Sequence, residues 1–145
     1  MRHSVHPTRH TPIKACVVWC FDPRFRGTLK KFLSFLGLKE REVDPVDLAG
    51  GAKWAALDKQ KHWKNFLINQ IQSSVRLHHA KRVILMTHSD CGGYGGLKAF
   101  QHDKEKELKK HARDLKMAAR TIKKSLPKNV RIETVFVDFD GVWKI

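Results

Sequence analysis

Apolar residues recur along the chain in two rhythms. Three short runs are almost continuously apolar and rich in β-branched side chains: "PIKACVVWCF" (12–21), "KRVILMT" (81–87) and "VRIETVFVDF" (130–139). That is the pattern of strands covered on both faces. Between them the spacing changes to threes and fours. Leu29, Phe32, Leu33 and Leu36 share one face of a predicted helix in "RFRGTLKKFLSFLGL", with Gly37 placed as its C-cap. A second helix is predicted over about 59–79, its stripe formed by Trp63, Phe66, Leu67, Ile71 and Val75. A third runs to about Leu126 through Leu108, Ala112, Leu115, Ala119 and Ile122, and Pro127 helps to stop it. "EREVDPVDL" (40–48) reads as a short strand or extended segment leading into "AGGAKWAAL", and Asp140-Gly141 signals a tight turn into "VWKI". Strands alternating with helices predict an α/β fold, a mainly parallel central sheet flanked by helices.

Length and composition narrow this picture. The chain has 145 residues, which suits one domain, expected over 13–145 behind a flexible basic tail at 1–12. No apolar run approaches ~18 residues, so no membrane span is expected. The first residues lack the apolar core of a secretory leader, which points to the cytoplasm. The three cysteines are then better read as ligands or buried thiols than as a disulfide framework.

Charge raises a different class of partner. The net charge is +15, from 29 Lys and Arg against 14 Asp and Glu, and such a field attracts polyanions. Many of these cations lie on "DKEKELKKHARDLKMAARTIKKSLPK", interleaved with acids as on an ordinary solvated helix face. No aromatic-rich ribonucleoprotein signature accompanies them, so nucleic acid is a possible partner but not the favoured one.

The candidate chemistry lies in "THSDCGGYGG" (87–96), directly after the run "RVILM". Neither nucleotide motif fits this loop. A P-loop needs Lys-Ser/Thr after its last glycine, and Gly96 is followed by Leu97-Lys98; the spacing G-x-G-x-x-G is broken as well. The scheme above places Cys20 at the carboxyl end of the first strand, and His88 and Cys91 at that of a later one. Ligands gather in the crevice at such strand ends. Two thiolates and an imidazole suit Zn²⁺ and leave a fourth position open, as in catalytic zinc sites. Gly92 and Gly93 are expected to let the backbone turn tightly around the metal, and Gly92 is taken as a substrate-binding position. Cys16 stands four strand residues before Cys20, about 13 Å away, and is expected to be a buried thiol. Asp22 and Arg24 follow Cys20 within "CFDPRF". Held ionised and aimed by Arg24, Asp22 is expected either to bind the open metal position itself or to accept a hydrogen bond from a metal-bound water. The alternative is an ordinary ion pair in which Asp22 caps a helix. A metal on His3, His6 and His10 of the tail would be adventitious.

Cys-x-Asp-x-Arg after the first strand and His-x-x-Cys-Gly after a later one resemble the zinc-site motifs of the β-class carbonic anhydrases. The likeness runs from about Ile13 to the C-terminal strands. It implies that fold, one Zn²⁺ per chain on Cys20, His88 and Cys91, and Asp22 with Arg24 as the catalytic dyad. It also implies reversible hydration of CO₂ to bicarbonate by zinc-bound hydroxide, with pairing into a homodimer or higher homo-oligomer. Two departures stand out. Pro23 replaces the usual serine between the dyad residues, and Leu48-Ala49-Gly50-Gly51 stands where the family commonly has Asn-Ala-Gly-Asn. The alternatives are a zinc hydrolase of carbonyl sulfide or carbon disulfide on the same site, or a basic zinc domain that binds nucleic acid. Tyr94, Phe25 and Trp54 are candidate pocket walls, and His78, His79 and His102 are candidate proton carriers.

Overall fold

The computed structural model describes residues 11–145; the first ten residues of the expected tail lie outside the described residues. Five strands form one sheet in the order β2-β1-β3-β4-β5: β1 Ala15–Trp19, β2 Val43–Asp47, β3 Arg82–His88, β4 Arg131–Val137 and β5 Val142–Lys144. Every pairing is parallel except that of β4 with β5, the hairpin predicted around Asp140-Gly141.

Side chains of β1 alternate between two cores, as a pleated strand requires. Cys16 and Val18 join Val83, Leu85 and Phe136 under α3 (Lys61–Leu77) and α4 (Lys104–Lys123). Ala15, Val17 and Trp19 join Ile84, Met86, Val135 and Val137 on the other face, covered by Phe25, just before α1 (Arg26–Phe35), and by Leu33 of α1. Both faces are therefore occupied, which is why the strand runs read as continuously apolar. Cys16 is fully buried, as expected, and burial pushes its thiol up to about 12. No helix among the described residues is long and apolar enough to cross a membrane.

Helix ends follow local chemistry. Gly37 adopts φ +69°, and Leu38 donates back to the Leu33 carbonyl at 2.9 Å, closing α1 as predicted. Asp103 accepts from the backbone N–H groups of Glu105 and Lys106 and starts α4.

Two predicted faces are corrected. On α3 the buried positions are Leu67, Ile71 and Ser74, whereas Trp63 and Phe66 are exposed. Trp63 stacks instead on Trp54, with ring centroids 5.5 Å apart. On α4 the buried face is Glu107, His111, Asp114, Leu115, Ala118 and Ile122, while the expected Leu108 is exposed. The amino-terminal half of α4 thus turns a polar stripe inward, for a reason found at the site. One element was missed: α2 (Lys53–Ala56), a four-residue helix packed on α4, too short to show a period.

Candidate metal centre

The chain leaves β1 through α1 on one face of the sheet and returns to β3 through α3 on the other. The carboxyl ends of β1 and β3 therefore form the crevice where connections diverge, the usual ligand position in open α/β sheets. Val18 pairs with Leu85 in this register, which brings Cys20 level with the end of β3. Cys20, His88 and Cys91 meet there, all buried, with their ligand atoms within 4.8 Å of one another. Cys20 Sγ and Cys91 Sγ are 3.9 Å apart. A tetrahedral ion with Zn–S bonds of about 2.3 Å needs an S···S edge of about 3.8 Å, so the pair already has the right span.

His88 is prepared for the same role. Its Nδ1 lies 2.8 Å from the Ser89 carbonyl, which can only accept, so Nδ1 carries the proton. The buried Nε2 has no hydrogen-bond partner among the described residues and keeps its lone pair free. Phe25 stacks on the ring at 4.7 Å and Trp19 at 5.8 Å, which fixes its plane. The two sulfurs lie within hydrogen-bond distance of each other. A hydrogen bond with Cys91 draws Cys20 well below the ordinary thiol range, and the same bond holds Cys91 above it. Such a donor set can hold a metal ion.

Asp22 stands at the rim, its Oδ2 3.8 Å from His88 Nε2. The cap and the ion pair with Arg24 coexist. It caps the one-turn helix Pro23–Phe25 by accepting from the Arg24 N–H, and both of its oxygens also accept from the Arg24 guanidinium, the shortest bond being 2.7 Å. Hydrogen bonding by Arg24 is the main cause that lowers its carboxyl to about 2. A partner unanticipated from sequence completes the pair. Arg24 donates from Nη1 to Asp90 Oδ2 and from Nη2 to the Asp90 carbonyl, each at 2.8 Å. Both carboxylates raise the Arg24 pKa.

The polar stripe of α4 anchors this loop from behind. Glu107, 1% exposed, accepts from Ser89 Oγ at 2.6 Å and from the Asp90 N–H at 2.7 Å. Asp90 in turn accepts from the Leu97 N–H at 2.8 Å and holds φ +50°. A buried carboxylate needs such donors, and the loop after β3 supplies them. Further along the helix, His111 stacks on Tyr94 at 3.9 Å. Burial lowers His111 to about 3 and keeps the ring neutral. Spacing carried a signal for this group: Glu107, His111 and Asp114 follow one another by four and three.

The glycines divide the work differently from expectation. A Cβ on Gly93 would fall 2.6 Å from both Cα and N of Gly50, so the two glycine segments touch backbone to backbone. A Cβ on Gly92 would meet nothing within 4 Å, so the turn does not require glycine there. Gly51, at φ +54°, lies so close to the Met86 carbonyl that no side chain fits. Lys53 donates to the Gly93 carbonyl.

Among the wall candidates, Phe25 lies against His88, Trp54 donates to the Ala49 carbonyl at 2.7 Å, and Tyr94 packs behind the loop on His111. Of the proton-carrier candidates, His78 bonds Asp44, the β2 partner of Cys16, and so sits toward the opposite end of the sheet from Cys20. His79 follows it directly, whereas His102 belongs to the segment that follows the metal loop.

The architecture matches solved carbonic anhydrases. It aligns with the β-carbonic anhydrase isoform I of Trichomonas vaginalis at TM-score 0.66 and 16% identity, covering 97% of this chain and 87% of that one. It aligns with the carbonic anhydrase of Streptococcus mutans at TM-score 0.62 and 19% identity, covering 97% and 88%. The fold is thus the α/β fold of the β-carbonic anhydrases, and at its strand ends lies a Cys-His-Cys cluster that could hold a metal ion. The sequence agrees: a family described as "Putative carbonic anhydrase" matches residues 11–145, and the chain belongs to that family. Two relatives are each 30% identical over 128 residues, 87% of this chain. They are an uncharacterized protein of Rickettsia bellii (strain RML369-C), 77% covered, and one of Rickettsia conorii (strain ATCC VR-613 / Malish 7), 68% covered.

Proposed function

We propose that the chain is a zinc-dependent carbonic anhydrase that hydrates CO₂ reversibly to bicarbonate. The observation that carries this is the buried Cys20–His88–Cys91 cluster with the Asp22–Arg24 pair at its rim. Those three residues would hold the ion. Zinc bound there supplies Lewis acidity to water, weakened by two thiolate charges, so its contribution rises on the alkaline side of neutrality.

The remaining work belongs to the chain. Asp22, kept ionised by Arg24, accepts a hydrogen bond from the reacting water and aims its lone pair at carbon. Arg24 keeps Asp22 turned toward itself, and Asp90 holds Arg24 from the other side. Phe25, packed on His88, is the candidate apolar wall for CO₂. Gly92 leaves open space beside its backbone, consistent with a substrate-facing position. Thiolate ligands must stay reduced, which suits a cytoplasmic setting. The homo-oligomer implied by the motifs belongs to the same proposal, and the exposed Phe21, Phe35 and Phe139 offer apolar surface for it.

The test is stopped-flow CO₂ hydration by zinc-loaded protein at about pH 7 and about pH 8.5, beside Asp22→Asn. The wild type should be faster at the higher pH, and the variant slower by about 10²-fold with its zinc retained. Hydration no faster than buffer would overturn the proposal. Turnover of carbonyl sulfide or carbon disulfide in its place would reassign the same site to those electrophiles.

A further inference from the structure

The net charge of +15 has no part in the chemistry above, and its distribution is not uniform. Lys109, Arg113, Lys116, Arg120 and Lys123 follow one another on α4 by four, three, four and three residues, all exposed. Steps of this kind keep a line of side chains on one helix face, and 14 residues at 1.5 Å each carry it over about 21 Å. Of the acids near this line, Glu105 pairs with Lys109 at 2.6 Å, and the buried Asp114 comes only within 4.0 Å of Arg113.

The stripe runs into a groove of about 890 Å³ between the end of α4 and the start of β4. Its charged lining is entirely cationic: Arg120, Lys123, Lys124, Lys128 and Arg131. Lys123 is tied to the carbonyls of Lys128 and Val130, and Arg131 pairs with Glu133. Arg120, Lys124 and Lys128 have no acidic partner among the described residues, so at this end three cations stand together without counter-charge. The groove lies at the amino end of β4, six residues and about 20 Å from the β3–β4 level where His88 pairs with Val137. It is therefore separate from the metal centre.

We infer that this stripe and groove form a binding surface for the phosphate backbone of double-stranded nucleic acid, read without regard to sequence. A rigid helix that presents a cation about every 5 Å complements a regular line of phosphates. Its side chains select among polyanions. Among the described residues no aromatic lines the groove, so no stacking platform for single strands is found there. The apolar floor is Ala119, Val130 and Ile132, too short to wedge into a bilayer. The inference is independent of the carbonic anhydrase proposal.

Fluorescence anisotropy of the full chain with a ~20-base-pair duplex, titrated at several salt concentrations, tests it. One variant carries Arg120→Gln, Lys124→Gln and Lys128→Gln. Its control carries Lys31→Gln, Lys59→Gln and Lys61→Gln, the same loss of charge at exposed positions elsewhere. The groove variant should bind at least tenfold more weakly and lower the salt slope by about 2–3, while the control changes by less than about threefold. Both should keep the circular-dichroism spectrum and melting temperature of the wild type, which verifies the fold. Equal losses in both variants, no binding at low salt, or equally tight binding to anionic lipid vesicles would each overturn the inference.

Discussion

At the scale of single residues, the metal loop depends on contacts that leave no room. Gly93 rests on the backbone of Gly50, and backbone cannot swing aside as a side chain does. Gly93→Ala should therefore cost about 1–3 kcal/mol, read as a lowered melting temperature, whereas Gly92→Ala should stay within about 0.5 kcal/mol. Equal effects would show that the close approach does not matter. Asp22 makes a prediction about acid. Its pKa is depressed to about 2, mainly by hydrogen bonds from Arg24, from an ordinary value of 3.8. A depressed carboxyl stabilises the fold above its unfolded value and loses that contribution as pH falls through its folded value. Denaturant unfolding of Asp22→Asn should thus show lower stability than wild type at pH 5, with the gap closing toward about pH 2. A gap independent of pH would contradict the ion pair.

At the scale of elements, the strands were legible because burial on both faces leaves an unbroken apolar run, as in "RVILM". Helix faces were less so. In α4 the apolar count favoured Leu108, but Glu107 meets two donors of the metal loop and is the residue that goes inside. Apolar periodicity cannot register a buried carboxylate, since its stabilising partners lie 17 and 18 residues earlier in the chain. The rotation can be checked on two neighbours. Glu107→Gln should cost about 1–3 kcal/mol by facing an amide to the Ser89 and Asp90 donors, while Leu108→Gln should stay within about 0.5 kcal/mol. A larger loss at Leu108 would restore the apolar stripe. The short α2 had no period to read, and Trp63 and Phe66 were misplaced because aromatic side chains here pack on one another at the surface.

For the whole molecule, topology turns separate motifs into a site. Cys20 and Cys91 are 71 residues apart, yet adjacent parallel strands bring their sulfurs to 3.9 Å. The candidate ligands and their strand-end placement were readable from residue type and the α/β alternation. Asp90 was not, because a single carboxylate beside a cysteine looks like any loop acid until Arg24 is seen to bridge it to Asp22. Two features lie at opposite ends of the sheet, the candidate metal centre at the carboxyl ends of the strands and the cationic groove at the amino end of β4. The central claim, that the three buried ligands hold zinc, is tested most directly by metal analysis of purified wild type and Cys91→Ser. The account predicts about one zinc per chain in the wild type and almost none in the variant. A wild type that remains metal-free after zinc is supplied, or a variant that keeps its full zinc, would contradict it.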